Sequence, residues 1–187
     1  MKALGIILQA VSILLFATSS PAQTKVPDST GKTCEQFLKD FYAWYLPIAQ
    51  AEIERHVQPL DLTVRANPAV LSREIISGIE AVDAEAKKSG DAGLDFDPVL
   101  NSQDPGGPGD PPYIVRDVKV EGKICRADVY YQSTDGKTEK IVIPELQAQN
   151  NRWIFTNFHY PNFPKDPNSN LVTIIKNYLR DSKMPQN

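Results

Sequence analysis

The sequence predicts an α+β domain in which helices pack on a curved antiparallel sheet. Apolar residues first recur with the period of 3.6 that is typical of helices, and from Tyr113 onward they alternate with a period of two. Short turn signals separate the alternating runs, so we expect the strands to follow one another as a four-stranded meander.

Residues 1–22 have the pattern of a cleaved secretory signal peptide. Lys2 provides a positive start, an apolar run too short to span a bilayer follows, and Ser20 and Ala22 occupy the −3 and −1 positions of a signal peptidase site. We therefore expect a mature chain that begins at Gln23 and is periplasmic or secreted. No cysteine stands at the cleavage point, so we expect no membrane anchor after cleavage.

The rest of the chain predicts a polar leader at 23–32, a single α+β domain at 33–180 and a flexible tail at 181–187. The formal net charge is −3. This mild acidity argues against a nucleic-acid or anionic-membrane partner, because such partners favour a basic surface.

Thr33 and Gln36 form a capping box that predicts the start of the first helix. The apolar face of this helix carries Phe37, Phe41, Trp44, Tyr45 and Ile48. This face places Trp44 against the sheet, where we expect it to belong to the core. Pro47 lies inside the pattern, so we expect it to kink or interrupt the helix after Tyr45.

A second helix is predicted to begin with Asn67 as its cap and Pro68 in its first turn, and to end at Gly90. The apolar face of this helix carries Leu71, Ile75, Ile79 and Val82. Residues 105–112 are rich in proline and glycine, and we expect them to form a stiff, irregular connection.

Alternating apolar residues mark four strands, at 114–120, 125–131, 141–143 and 153–160. The predicted turns lie at 121–123, 135–136 and 150–151. Pro144 in the third strand implies a bulge or an edge position, because proline has no N–H to donate to a sheet. A closing helix is predicted at 170–179.

Cys34 and Cys125 are the two cysteines of the chain. An even pair in an oxidising compartment favours a disulfide, which here closes a loop of about 90 residues. The alternative is a pair of buried thiols that pack as small apolar side chains. The wide spacing does not match a zinc site.

Two segments of the chain resemble the bacterial domain-of-unknown-function family 3828. They are Phe-Tyr-Ala-Trp-Tyr-Leu at 41–46 and Leu-Asp-Phe-Asp-Pro-Val-Leu-Asn-Ser-Gln-Asp at 94–104, and the resemblance covers most of residues 34–160. It implies a cystatin-like cone of the kind shared with nuclear transport factor two, in an exported or lipid-anchored protein of Gram-negative bacteria. The chain lacks the lipobox that some relatives carry, and the resemblance implies no particular activity.

The second of these segments contains a cluster of oxygen-bearing side chains. They are Asp95, Asp97, Asn101 and Asp104. An EF-hand starting at the first of them would need glycine and glutamate where the chain has Leu100 and Gly106, so that calcium loop is excluded. We expect Asp97 to cap a helical turn opened by Pro98.

We also expect Gln103 and Asp104 to tie the following loop to the backbone. A ligand or partner site and a metal site are the alternatives for this segment. The tyrosines at 42, 45, 130 and 160 are candidates either for the core or for the lining of a cavity. His56 and His159 have no serine or cysteine at motif spacing, and we assign no catalytic residue.

Three functions remain open. The first is a non-enzymatic module that binds a small molecule or a periplasmic protein on its concave sheet face, without a cofactor or metal. The second is an immunity or inhibitor protein that projects residues 104–112. The third is a cone-fold enzyme that uses Asp97 or Asp128 as general base. The candidate binding residues are Tyr45, Asp97, Gln103, Asp104 and Tyr130.

Overall fold

The computed structural model describes residues 28–53, 70–104, 106, 113–162, 166 and 169–183, with the side chains of 51–53 outside that description. In chain order the elements are α1 (Cys34–Ile53), α2 (Arg73–Ser89), β1 (Ile114–Glu121), β2 (Ile124–Gln132), β3 (Thr138–Gln149), β4 (Arg152–His159) and α3 (Leu171–Asp181). The predicted signal peptide, His56, the predicted helix start at Asn67 and Pro68, and most of the predicted connection 105–112 lie outside the described residues.

The four strands form one antiparallel sheet in the order β1-β2-β3-β4, which confirms the predicted meander and the α+β class. The turn between β3 and β4 uses Asn150 and Asn151 with φ of 49° and 61°. Left-handed conformations of this kind match the right-handed twist of a hairpin, and asparagine tolerates them better than most residues.

Pro144 lies on β3, which is an inner strand between β2 and β4. Of the two expected alternatives, the edge position is therefore excluded. The expected bulge is present, because the β3–β4 register shifts between Glu145 and Leu146, directly after Pro144. The residue without a ladder partner is Thr156 on β4, while Pro144 itself lies opposite Phe158.

The capping box of α1 forms as predicted. Thr33 N donates to Gln36 Oε1 at 3.1 Å, and Gln36 N donates to Thr33 Oγ1 at 3.2 Å. Of the expected kink or interruption after Tyr45, the interruption does not occur, since α1 continues through Pro47. Pro47 and Ala43 are both exposed, so water can solvate the carbonyl that Pro47 leaves without an N–H donor.

The predicted start of α2 is also wrong. The helix begins after Ser72, whose Oγ accepts from Ile75 N at 3.3 Å, and Leu71 lies before it in extended backbone. Phe155 N donates to Val70 O at 2.9 Å, and Ser72 N donates to Phe155 O at 2.8 Å. The open edge of β4 thus holds this segment extended, which overrides its helical pattern. Gly90, with φ of 76°, ends α2 as predicted.

The core between α1 and the sheet is filled by aromatic side chains. The fully buried rings are Phe37, Phe41, Tyr45, Phe155 and Phe158. Phe41 lies at the centre, with its ring centroid 4.6 Å from that of Phe155 and 5.5 Å from that of Tyr45. Trp44, which we expected in the core, is only half-buried and packs against Phe41 from its margin.

Cys34 and Cys125 form a disulfide, as predicted, with a Cα–Cα distance of 6.5 Å. The bond joins the first residue of α1 to β2. In the part of the chain that the structure describes, no helix is long and apolar enough to cross a membrane.

Candidate functional site

Asp97 opens a buried turn that we call the Asp97 turn, residues 97–100. Its Oδ1 accepts hydrogen bonds from Val99 N at 2.8 Å and from Leu100 N at 3.1 Å. The backbone of Asp97 also pairs with Ser102, because Asp97 N donates to Ser102 O at 2.8 Å. These bonds confirm the predicted cap.

Three tyrosine hydroxyls hold the Asp97 turn from two sides. From α1, Tyr45 Oη donates to Asp97 Oδ2 at 2.9 Å and Tyr42 Oη donates to Val99 O at 3.2 Å. From the end of β4, Tyr160 Oη donates to Pro98 O at 3.2 Å. The segments 41–46 and 94–104 thus meet in one hydrogen-bonded cluster.

The electrostatics of the cluster follow from its burial. Burial raises the pKa of Asp97 to about 6, while the hydrogen bonds from Tyr45, Leu100 and Val99 act in the opposite direction. Burial and the charge of Asp97 raise the pKa of Tyr42 and of Tyr160 well above the usual value, so both hydroxyls remain protonated donors.

Beside the Asp97 turn lies a cleft of about 460 Å³, which we call the amide cleft. Its lining includes the side-chain amides of Asn101, Gln103 and Asn162 and an apolar wall from Phe96, Tyr160 and Ile174. Ser102, Asp166 and Ser169 complete the lining. The lining comes from the residues around the Asp97 turn, the segment after β4 and α3.

Contacts to neighbouring elements position the amide cleft. Asn101 Nδ2 donates to Ile141 O on β3 at 2.9 Å, which ties the Asp97 turn to the sheet. The ring of Phe96 packs edge-on against Tyr160, with the centroids 5.6 Å apart. The wall and the amides are therefore held by tertiary contacts.

A second cavity, of about 290 Å³, lies between α1 and β1. Tyr42 and Leu46 line it from α1, Tyr113 and Val115 line it from the β1 side, and Lys39 lies at its margin. This groove therefore lies between the first helix and the sheet. Its lining is mostly apolar and contains fewer side-chain hydrogen-bonding groups than the amide cleft.

The structure places Gln103 and Asp104 at the surface next to the Asp97 turn. Asp104 Oδ1 accepts from Gly106 N at 2.9 Å, as predicted. Gln103 does not bond to the backbone as expected. Its Nε2 donates to the side chain of Asp95 at 3.3 Å, because the Asp97–Ser102 pairing brings the two side chains to the same side.

Tyr130 and Asp128 lie together on β2, in a different cluster. Asp128 accepts from Lys140 Nζ at 2.7 Å and from Tyr130 Oη at 3.4 Å. The guanidinium carbon of Arg116 lies 5.5 Å from the centre of the Tyr130 ring. The structure therefore brings Tyr45 and Asp97 together but does not bring Tyr130 to them.

Three polar residues of the amide cleft were not predicted from the sequence. Asn162, Asp166 and Ser169 belong to a proline-rich stretch that the sequence marks only as a connection. The polar character of this stretch is the one signal that could have drawn attention to it. Within the described ranges, no group of three or more His, Cys, Asp or Glu side chains is placed to hold a metal ion.

Comparisons with protein-family models, with curated proteins and with solved structures give no match to this chain. The candidate site therefore depends on the geometry of the chain alone.

Proposed function

We propose that this protein is an exported, non-enzymatic binding module and that the amide cleft takes a small molecule. The observation that carries this proposal is the cleft itself, about 460 Å³ in volume, with an apolar wall and several convergent polar groups. Both its size and its lining are typical of ligand sites.

The Asp97 turn supports the proposal because it fixes one side of the cleft although this requires burying a carboxylate, which lowers stability. Burying a carboxylate disfavours its charged form, as the pKa of about 6 reflects. Perturbed carboxylates of this kind are frequent near functional sites, where local stability is given up for a fixed geometry. In this proposal Asp97 positions the cleft and does not touch the ligand.

We also propose membership in family 3828, a cystatin-like cone, and export through the signal peptide at 1–22. The contacts of Tyr42 and Tyr45 with the Asp97 turn support the family assignment, because they join both of its characteristic segments. The disulfide between Cys34 and Cys125 supports an oxidising compartment.

Native mass spectrometry of protein purified from periplasm tests the proposal. Ser169 contributes backbone bonds through its N and O atoms, so its side chain can be enlarged without removing them. We expect a small-molecule adduct on the wild type that disappears in Ser169→Trp, because the indole fills the cleft. The matched control is Thr134→Trp, which introduces the same indole in place of another small hydroxyl residue, at an exposed position in the turn between β2 and β3.

The adduct should persist in Thr134→Trp. An adduct that survives in both variants would place the ligand elsewhere, and wild-type protein without any adduct would contradict small-molecule binding. The described residues add no observation in favour of the inhibitor, and the raised pKa of Asp97 is the observation that favours the enzyme. Of the two carboxylates considered as a base, Asp97 already accepts hydrogen bonds on both oxygens, and Asp128 is paired with Lys140.

A further inference from the structure

The three amides of the amide cleft share one orientation. In each, the NH₂ group donates to an oxygen of a residue outside the lining: Asn101 to Ile141 O, Asn162 to Glu139 Oε1 and Gln103 to Asp95 Oδ2. Each partner is a carbonyl or carboxylate oxygen, which only accepts. The orientation of each amide is therefore set by the oxygen that accepts from it. Each carbonyl oxygen can then accept from a ligand, and each NH₂ keeps a second N–H.

Among the described residues, the charged group in the lining and those bonded to its amides are carboxylates. Asp166 lines the cleft, and the carboxylates of Asp95 and Glu139 lie directly behind Gln103 and Asn162. None of the lining residues that the structure describes is basic. A cleft with acceptor oxygens and nearby carboxylates attracts donor groups and positive charge, and it repels anions.

The apolar wall adds a second preference. Phe96 and Tyr160 present aromatic surface in the same cleft as the amide oxygens. Aromatic rings accept the apolar body of a ligand, and their faces attract cations. An amine that carries an apolar group satisfies both the wall and the acceptors.

We infer that the amide cleft binds an organic cation, a small amine with an apolar body, whose N–H groups donate to the carbonyl oxygens of Asn101, Gln103 and Asn162. This inference rests on the proposed function, since it names the ligand class of the same site. Specificity follows because an acid of the same shape would bring a negative charge close to the carboxylates of Asp95, Glu139 and Asp166.

Three probes of similar shape separate charge from shape: 2-phenylethylamine, 2-phenylethanol and 3-phenylpropionate, which are cationic, neutral and anionic at pH 7. Each is titrated into the mature chain, and amide shifts in the two-dimensional ¹H–¹⁵N NMR spectrum report binding and its location. We expect the amine to shift cleft residues with a Kd at least tenfold lower than that of the acid, with the alcohol between them.

A matched pair of variants isolates the charge within the site. Ser169→Lys places a cation in the cleft, and Ser169→Met adds similar bulk without charge. We expect the amine to bind at least fivefold more weakly to Ser169→Lys than to Ser169→Met, since one like charge within the cleft costs about that much. Wild-type amine binding should also weaken as salt is added.

The outcomes separate this inference from the proposed function. Acid binding at the cleft as tight as amine binding overturns the ligand class but leaves the cleft as the site. Equal amine affinity in the two Ser169 variants also overturns it. If no probe shifts cleft residues, the inference fails, and the adduct seen by native mass spectrometry alone then decides the proposed function.

Discussion

At the scale of single residues, Asp97 combines burial with charge. Its carboxylate caps the turn and accepts from Tyr45, yet burial still raises its pKa from 3.8 to about 6. The folded state therefore favours the protonated acid relative to the unfolded chain. This contribution to stability is fully present below pH 4 and is lost as the pH rises through 6.

The first prediction concerns the pH dependence that Asp97 confers. Asp97→Asn keeps an amide oxygen for Val99 N and Leu100 N but cannot ionise. A pKa raised by about two units corresponds to about 3 kcal/mol. We measure the free energy of unfolding of both proteins by urea denaturation at pH 4 and at pH 7. The value for the variant minus the value for the wild type should be larger at pH 7 than at pH 4, by about this amount. A difference that stays constant with pH would contradict the burial argument.

The second prediction tests the hydroxyl that faces this carboxylate. Tyr45→Phe removes a donor from a charged acceptor, so we expect it to cost about 1.5–3 kcal/mol at pH 7. Tyr42→Phe is the matched control, because its hydroxyl donates to the neutral oxygen of Val99, and a typical neutral bond contributes about 1 kcal/mol. Thermal or urea denaturation of both variants measures the difference, and equal losses would argue against an ionised Asp97.

At the scale of elements, α1 connects the disulfide, the aromatic core and the Asp97 turn. Its first residue is bonded to β2, its middle carries Phe41 and Tyr45, and Pro47 follows without ending the helix. Packing of the buried face sustains α1 through a residue that disfavours helix on its own. Both Pro47 and the disulfide can therefore be tested through the stability of this helix.

Pro47→Ala should stabilise the protein. The change supplies an N–H within a helix that already continues past this position, and alanine favours a helix interior by about 3 kcal/mol over proline. The more flexible unfolded chain offsets part of this gain, so we expect a net increase of about 1–2 kcal/mol in the free energy of unfolding. Urea denaturation measures it, and an unchanged or lower value would show that Pro47 relieves a strain we have not identified.

Removing the disulfide should have the opposite effect. The bond spans 91 residues, and in the chain-entropy model a loop of this size contributes about 4–5 kcal/mol. We expect the double variant Cys34→Ala, Cys125→Ala to lose about that amount in urea denaturation. Wild-type protein treated with reductant is the control and should lose a similar amount, whereas a loss below about 1 kcal/mol would show that the core alone holds α1 on the sheet.

At the scale of the whole molecule, export is the remaining prediction. The pattern of residues 1–22 and the disulfide both favour an oxidising compartment. N-terminal sequencing of protein isolated from the periplasm should begin at Gln23. Protein that retains Met1 and accumulates in the cytoplasm would contradict export.

The order and type of the elements could be predicted from the sequence because they depend on local patterns. The Thr33–Gln36 box, Gly90 and the asparagine cap of α3, Asn170, all act within a few residues of the chain. The start of α2 could not be predicted in this way. Val70 and Ser72 are held extended by Phe155, which lies more than 80 residues away in the chain.

In the candidate site too, local contacts could be predicted from the sequence and long-range contacts could not. The sequence by itself determined that Asp97 caps a turn, since Val99 and Leu100 are its immediate neighbours. Only the tertiary structure decided that tyrosines from α1 and from the end of β4 hold this turn, and that amides from two separate segments form one cleft. A local pattern specifies bonds between neighbouring residues, whereas the direction of an amide is set by the distant oxygen that accepts from it.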